Sequence, residues 1–180
     1  MFKWMMFISS YLPLYFLITI INIPKIIDLK DNFSIITVGF LGTIGVLFII
    51  SVGALLYIFV KKPERTVMIS SYEKLDDNLI SYIMTYLIPL LSIDLDNVWN
   101  MIANLFLFLM IGLIYTKYDL IYLNPFLSLA GFYVYRTKSD KYVITRVKLT
   151  VLEIMKEKEI EIGSFRLAND VFVYKKIKPK

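Results

Sequence analysis

The feature that most constrains this chain is a series of long apolar blocks that contain no charged residue. The first two blocks, Trp4 to Ile23 and Ile35 to Val60, count 20 and 26 residues. A helix needs about 20 apolar residues to cross the ~30 Å hydrocarbon core of a bilayer. Leu79 to Ile93 and Val98 to Tyr115 follow with 15 and 18 residues. We therefore predict a mainly α, polytopic membrane protein whose four transmembrane helices occupy residues 1–118.

The first block is interpreted as a retained membrane anchor rather than a cleaved signal peptide. A signal peptide has a shorter apolar region followed by a small-residue cleavage site, whereas this block ends in Asn22-Ile23-Pro24. Pro13 lies in the middle of the block. We expect it to kink the helix, because proline has no backbone N–H and its ring crowds the preceding turn.

The overall composition agrees with this class and limits the chemistry. Hydrophobic residues make up 58% of the chain, against roughly 45–50% in ordinary soluble domains. The absence of cysteine and histidine excludes disulfides, thiolate chemistry and imidazole acids or bases. The sequence has no phosphate-binding glycine loop, GxSxG motif or metal-ligand spacing. We therefore predict that the chain is not an enzyme, binds no metal and needs no cofactor.

The net charge of +5 has two possible explanations, contact with nucleic acid or orientation in a membrane. A membrane protein uses Lys and Arg to fix its topology and to face anionic lipid. We prefer the second explanation. The lipid bilayer is then the expected partner, and direct contact with nucleic acid is not expected.

The distribution of basic residues predicts the topology. The loop 61–78 holds four Lys and Arg residues and the segment 136–180 holds twelve, whereas the turn with Asp94 and Asp96 holds none. The positive-inside rule places the first two segments in the cytoplasm. Asp94 and Asp96 then form an external turn, which we favour over a hydrolase or metal site because no base, nucleophile or third ligand is near in sequence.

The apolar stretch Leu120 to Tyr135 is interrupted by Asn124-Pro125 and by Gly131. Because the topology allows only two crossings between the cytoplasmic segments, we predict that this stretch is interfacial, re-entrant or part of the C-terminal domain rather than a fifth span. Both termini are then cytoplasmic.

Small and polar residues within the predicted spans are candidates for helix packing. Glycines let helix backbones approach closely in lipid, and amides four residues apart share one helix face. Ordinary membrane-helix composition, simple interhelical hydrogen bonding and a water-filled path stay open as alternatives. The candidates are Gly39, Gly42, Gly45 and Gly53 in the second block, and Asn100 and Asn104 in the fourth.

The C-terminal segment, residues 119–180, has a different character. Runs rich in β-branched and aromatic residues predict four strands, at Phe132 to Tyr135, Tyr142 to Thr145, Ile160 to Ile162 and Val171 to Tyr174. We predict a small, β-rich cytoplasmic domain that docks a soluble partner. The candidate docking residues are its cations Arg136, Lys138, Lys141, Arg146, Lys148 and Arg166.

Three features together point to a family: the four closely spaced spans, the run Tyr86-Leu87-Ile88-Pro89-Leu90-Leu91, and Asn124-Pro125-Phe126-Leu127 leading to Gly131-Phe132-Tyr133-Val134-Tyr135. In these features the chain resembles the KwaA family, the membrane subunits of the Kiwa anti-phage defence system of bacteria. The resemblance implies an inner-membrane protein that forms homo-oligomers and senses phage infection. It also implies a cytoplasmic effector subunit that binds DNA, and it transfers no catalytic residue.

Two functions of different classes follow from these observations. The first is a non-enzymatic sensor and scaffold that assembles in the membrane and docks the cytoplasmic effector. The second is a small oligomeric pore or channel, suggested by the Asn100 and Asn104 face and by the glycines of the second block. An accessory subunit of a larger transporter is a third possibility.

Overall fold

The computed structural model describes residues 1–21, 23–24, 35–75 and 97–176 of the chain. In this part, two helices are long and apolar enough to cross a membrane, and a bent pair makes a third candidate if it counts as one span. The third predicted block and the turn with Asp94 and Asp96 lie outside the described residues. The described residues contain helices that could form two or three of the four predicted spans. The helices are α1 (Phe2–Ser10), α2 (Leu12–Ile21), α3 (Ile35–Val60) and α4 (Val98–Lys117).

The predicted kink in the first block is confirmed. The axes of α1 and α2 differ by 45°, and the break falls at Tyr11, two residues before Pro13. Pro13 therefore lies in the first turn of α2, where its missing N–H costs no helical hydrogen bond. Ser10 Oγ donates to Phe7 O at 2.6 Å, which supplies a partner for a carbonyl beside the break.

The C-terminal part forms a mixed sheet of six strands in the order β1-β5-β6-β4-β3-β2. Neighbouring strands are antiparallel except β4 and β6, which are parallel. Three of the four predicted C-terminal strands are confirmed as β3, β4 and β6, and the mainly helical fold with a C-terminal sheet is also confirmed. The predicted strand from Ile160 to Ile162 was misplaced, because β5 begins only at Ile162 and continues through Gly163 to Arg166. The strands are β1 (Arg65–Val67), β2 (Tyr72–Lys74), β3 (Tyr133–Thr137), β4 (Tyr142–Thr145), β5 (Ile162–Arg166) and β6 (Val171–Lys175).

The sheet is strongly curled, because its two edge strands are neighbours in sequence. A flat sheet of six strands would separate its edges by about 24 Å, whereas the chain from Val67 to Tyr72 reaches at most about 18 Å. The ring centroids of Tyr72 on β2 and Tyr174 on β6 are 6.3 Å apart, although two strands lie between them in the sheet order. The sheet is therefore a partly closed barrel.

The C-terminal sheet and its surroundings contain three elements that the sequence analysis did not predict: β1, β2 and a further helix. β1 and β2 come from the loop between the second and third blocks, so residues assigned to the membrane region supply both edges of the sheet. The helix α6 (Leu149–Glu157) links β4 to β5. Its buried Leu152 joins Tyr135, Val147 and Ile162 in a small hydrophobic cluster.

The stretch from Leu120 to Tyr135 does not form a single helix. It contains a 3₁₀ helix (Leu120–Leu123), the helix α5 (Pro125–Leu129) and the start of β3. Helices of four and five residues rise only about 8 Å, which is too short to cross a bilayer. The stretch instead joins α4 to the sheet, as the sequence prediction of a C-terminal location allows.

The main hydrophobic core runs without a break from the helices into the sheet. It includes Met6 and Tyr11 at the bend, Ile111 on α4, and Ile144 and Val173 on the sheet. Because one cluster covers both parts, the sheet packs directly against one end of the helices. That contact region, the helix–sheet junction, holds the buried polar side chains of Ser9, Ser10 and Asn124.

Candidate functional site at the helix–sheet junction

Asn124 is a fully buried polar residue of the junction, with 0% exposure. Its Nδ2 donates to Ser9 Oγ at 2.8 Å and to Met6 O at 3.2 Å. Its Oδ1 accepts from the N–H of Phe126 at 3.0 Å, so the same side chain caps α5, with Pro125 in the first helical position. A buried amide costs free energy unless it is hydrogen-bonded. Here both ends of the amide are bonded.

An ion pair joins Lys3 at the start of α1 to Asp119 just after α4. The Asp119 side chain is 13% exposed, and its second oxygen, Oδ2, accepts from the N–H of Asn169 at 3.3 Å. Asp119 has a φ of 53°, a left-handed conformation that Asp and Asn tolerate better than most residues. Three separate segments, α1, α4 and the β5–β6 turn, therefore meet at one carboxylate.

The C-terminal end of α3 is attached to the sheet through Lys175 on β6. Lys175 Nζ donates to Phe59 O at 2.8 Å and to Lys61 O at 2.6 Å. These are carbonyls at the negative end of the helix dipole, where a cation is favourable. Burial lowers the pKa of Lys175, because removal from water penalises the charged form.

Lys61 follows α3 and makes a second set of contacts at the same place. Its Nζ donates to Tyr57 OH at 2.6 Å and pairs with Glu64 at 2.8 Å. The hydrogen bond with Glu64 is the main reason why the pKa of Lys61 is raised. The Lys61 and Lys175 ammonium groups lie 5.5 and 5.3 Å from the centre of the buried Phe165 ring.

Arg146, just after β4, lies against two aromatic rings that also contact each other. Its guanidinium carbon is 4.7 Å from the centre of the Phe59 ring and 4.9 Å from that of Phe132. One of its nitrogens donates to Ala130 O at 2.9 Å. An open cleft of about 460 Å³ lies beside these groups. The residues that line it are Phe59, Phe132, Arg146, Val147, Tyr174, Lys175 and Lys176.

The packing of α1 against α4 depends on a glycine that the sequence analysis did not select. A Cβ atom built on Gly112 would lie 2.8 Å from Phe7 Cε1 and 2.9 Å from Trp4 Cη2. The Phe7 ring also contacts Phe108 and Tyr115, with centroid distances of 4.8 and 5.4 Å. Gly112 therefore lets the aromatic face of α1 reach the backbone of α4. A single glycine without a spacing pattern gave no signal for this role.

The selected packing residues divide into two groups. Asn104 Nδ2 donates to Asn100 Oδ1 at 3.0 Å, so the two amides share a helix face and contact each other. The four selected glycines lie on α3, and no heavy atom of the described residues comes within 4 Å of a Cβ built on them. Their role in packing stays a prediction. They are Gly39, Gly42, Gly45 and Gly53.

The selected docking cations are also not equivalent. Arg136 pairs with Asp140 at 2.6 Å, and Arg166 donates to Ala168 O and Asn169 O at 2.9 and 2.8 Å. Lys141 lies over the Phe172 ring at 5.9 Å, and Arg146 belongs to the junction. Lys138 and Lys148 are exposed, and their side chains form no hydrogen bond or ion pair with the described part of the chain.

The junction ties the helices to the sheet at several points. Within residues 1–21, 23–24, 35–75 and 97–176, no cluster of three or more acidic side chains could hold a metal ion. Its polar groups instead join backbone and side chains of elements far apart in sequence. The chain thus belongs to the class of proteins in which apolar helices, long enough to cross a bilayer, carry a sheet fixed to one end.

Comparison with known proteins gives the family. Residues 2–173 match the family described as anti-phage protein KwaA. The chain is also 34% identical over 73 residues to Kiwa protein KwaA of Escherichia coli O55:H7 (strain RM12579 / EPEC). That alignment covers 41% of this chain and 37% of the relative's length. No solved structure matches.

This chain belongs to the KwaA family, because the family match covers nearly its whole length. The family resemblance drawn from the sequence is confirmed. The family is described by its anti-phage role. The two or three apolar helices are compatible with association with a membrane.

Proposed function

We propose that this protein is a non-enzymatic inner-membrane sensor and scaffold of an anti-phage defence system. A disturbance of the membrane helices is passed through the helix–sheet junction to the sheet, which docks a cytoplasmic effector subunit. Membership of a defence system implies such further subunits. The observation that carries the proposal is the buried amide of Asn124, which is bonded to the α1 bend and caps the helix leading into β3.

The distribution of charge supports a cytoplasmic sheet. Lys3 lies in the first turn of α1, Lys61 follows α3 and Lys117 ends α4. The pair of Lys3 with Asp119 holds the start of α1 next to the end of α4. The hydrogen bond from Lys175 to Lys61 O holds the end of α3 against β6. Trp99, which is 79% exposed, lies at the opposite end of α4, where indole rings favour the interface. Basic residues collect on the cytoplasmic side, which supports cytoplasmic termini.

The positions of the chain ends on either side of residues 76–96 support four crossings. Leu75 N–H approaches Val134 O at 3.5 Å, so Leu75 lies at the sheet. Asn97 caps α4 at the end farthest from the sheet, and the 20 residues of that helix correspond to about 30 Å. Leu75 and Asn97 therefore lie at opposite ends of α4.

The docking proposal is tested best by single charge reversals. Removing residues 136–180 would take away the strands that pair with β1 and β2, so loss of function in that deletion would not separate docking from folding. Lys138→Glu and Lys148→Glu change exposed side chains outside the junction. We expect each to reduce co-purification of the soluble effector subunit with membranes and to reduce protection against phage.

Lys158→Glu is the matched control, since Lys158 is also exposed and the charge change is the same. It should leave effector recruitment at the wild-type level. Normal recruitment by Lys138→Glu and Lys148→Glu together would contradict docking at these cations.

The alternative of a small oligomeric pore has less support. The Asn104 side chain, 9% exposed, already donates to Asn100 within its own helix, so it does not present a free amide to a water-filled path. Purified protein in planar bilayers separates the two functions. A conductance that changes when Asn100 and Asn104 are replaced by Leu would favour the pore.

A further inference from the structure

The cleft beside Arg146 lies at the level where α3 ends. Phe59, the second-last residue of α3, forms one wall, and Tyr174, Lys175 and Lys176 at the end of β6 form another. Val60 is 75% exposed, so lipid-facing apolar surface begins directly next to the cleft. Lys61 and Lys62 directly follow α3. Because Lys and Arg are favoured in the headgroup region of a membrane, the end of α3 and the cleft beside it are assigned to that region.

The cleft carries three cations whose charge is not neutralised. Arg146 and Lys175 bond to neutral backbone carbonyls, and Lys176 is exposed. None of the three forms an ion pair with a carboxylate in the described part of the chain. The nearest pair, Lys61 with Glu64, involves a different cation. Arg146 keeps further N–H groups in a planar fork suited to phosphate oxygens.

The remainder of the lining is aromatic. The guanidinium carbon of Arg146 lies within 5 Å of the centres of both the Phe59 and Phe132 rings, and these contacts, with the hydrogen bond to Ala130 O, restrict its orientation before any ligand arrives. Contacts of this kind lower the entropy that a flexible side chain loses on binding. The cleft therefore combines an oriented guanidinium, two ammonium groups and an apolar wall next to the membrane-facing surface.

We propose that this cleft binds the phosphate of an anionic phospholipid from the leaflet that faces the sheet. The phosphate contacts Arg146 and Lys176, and the glycerol and upper acyl chain lie along Phe59 and Val60. The bound lipid joins the end of α3 to β4 and β6 and stabilises the junction, since a ligand that binds only the folded state raises its stability. This inference does not depend on effector docking.

The test uses the purified full-length protein in a neutral detergent, titrated with phosphatidylglycerol or phosphatidylcholine. Bound lipid is counted by native mass spectrometry, and the thermal midpoint is measured by circular dichroism. We expect the anionic lipid to bind more tightly and to raise the midpoint. Equal binding of phosphatidylcholine would overturn the proposal.

Two substitutions in the cleft are compared with one outside it. Lys176→Gln removes an exposed cation that bonds to no described residue, so its fold should be retained, and Arg146→Gln removes the oriented group. Each should weaken binding of phosphatidylglycerol about fivefold, because one basic residue contributes ~1 kcal/mol to the attraction for anionic lipid. Lys158→Gln makes the same charge change at an exposed residue after α6, away from the residues that line the cleft, and should have no effect. Equal weakening by all three would show only a general effect of charge.

Soluble competitors distinguish the source of the phosphate. Inorganic phosphate and glycerol 3-phosphate should not displace the lipid at concentrations equal to it, because they lack the apolar contacts. Full displacement by either would assign the cleft to a free phosphate, and displacement by a short DNA duplex would assign it to nucleic acid. Both results would overturn the lipid proposal.

Discussion

Asn124 Nδ2 donates a hydrogen bond of 2.8 Å to Ser9 Oγ across 115 positions of the chain. The bond connects the bend of the first helix pair to the segment that enters the sheet. Both side chains are fully buried, so water cannot replace the bond when it is lost. The bond therefore links the position of the helix bend to the segment that leads into the sheet.

The first prediction concerns this pair. Asn124→Ala should lower the free energy of unfolding by about 2–4 kcal/mol, because it leaves buried donors and acceptors without partners. Ser9→Ala should cost about 1 kcal/mol. Chemical unfolding in detergent, followed by circular dichroism, measures both variants and the double variant. A double variant whose loss equals the sum of the single losses would show that the two residues are not coupled.

The second prediction concerns Gly112. Gly112→Ala places a methyl group within 3 Å of the Phe7 and Trp4 rings, and such overpacking costs about 1–3 kcal/mol. Gly45→Ala is the matched control, because no described heavy atom lies within 4 Å of its added methyl. The control should change the thermal midpoint little. If both variants behaved alike, close packing at Gly112 would not be important for stability.

The third prediction concerns the ion pair of Lys3 with Asp119. Asp119→Asn keeps a residue that tolerates the φ of 53° and removes the charge. We expect a loss of about 1–2 kcal/mol for this partly buried pair. Asp140→Asn is the control, since Asp140 also has a positive φ, of 56°. Its pair with Arg136 is more exposed, so a loss as large as that of Asp119→Asn would contradict the argument.

The fourth prediction concerns high pH. Burial, together with a hydrogen bond to Tyr72, raises the pKa of Tyr174 above its ordinary 10.0. A group with a raised folded-state pKa contributes stability that is complete below the unfolded pKa and is lost as pH rises through the folded pKa. The thermal midpoint should therefore fall above about pH 10, and less steeply in Tyr174→Phe. Tyr118→Phe, an exposed control, should follow the wild-type curve.

Much of the helical part could be predicted because its signal is local. α3 occupies Ile35–Val60, as the uncharged block predicted, since Lys61-Lys62-Pro63 ends both the apolar run and the helix. The C-terminal strands were also predicted from local runs of β-branched and aromatic residues. The amphipathic helix α6 was missed, although Leu149, Leu152 and Met155 follow a helical spacing.

The unpredicted features depend on contacts between distant segments. β1 and β2 have three residues each and contain charges, so they form strands only because β5 and β3 offer edges. Asn124 was recognised as an interruption, but its role requires Ser9, which no local pattern connects to it. The lining of the cleft likewise joins the end of α3 to β6 across more than 100 positions.

The two edge strands also determine the order in which the sheet can form during synthesis. Arg65 pairs with Ser164, which leaves the ribosome about 5–20 s later at ~5–20 residues per second. β1 stays unpaired during that time. The partner of β2 is made earlier, because Thr137 on β3 follows Tyr72 by about 3–13 s at the same rate. The sheet is therefore completed last, after all the described helices have been synthesised.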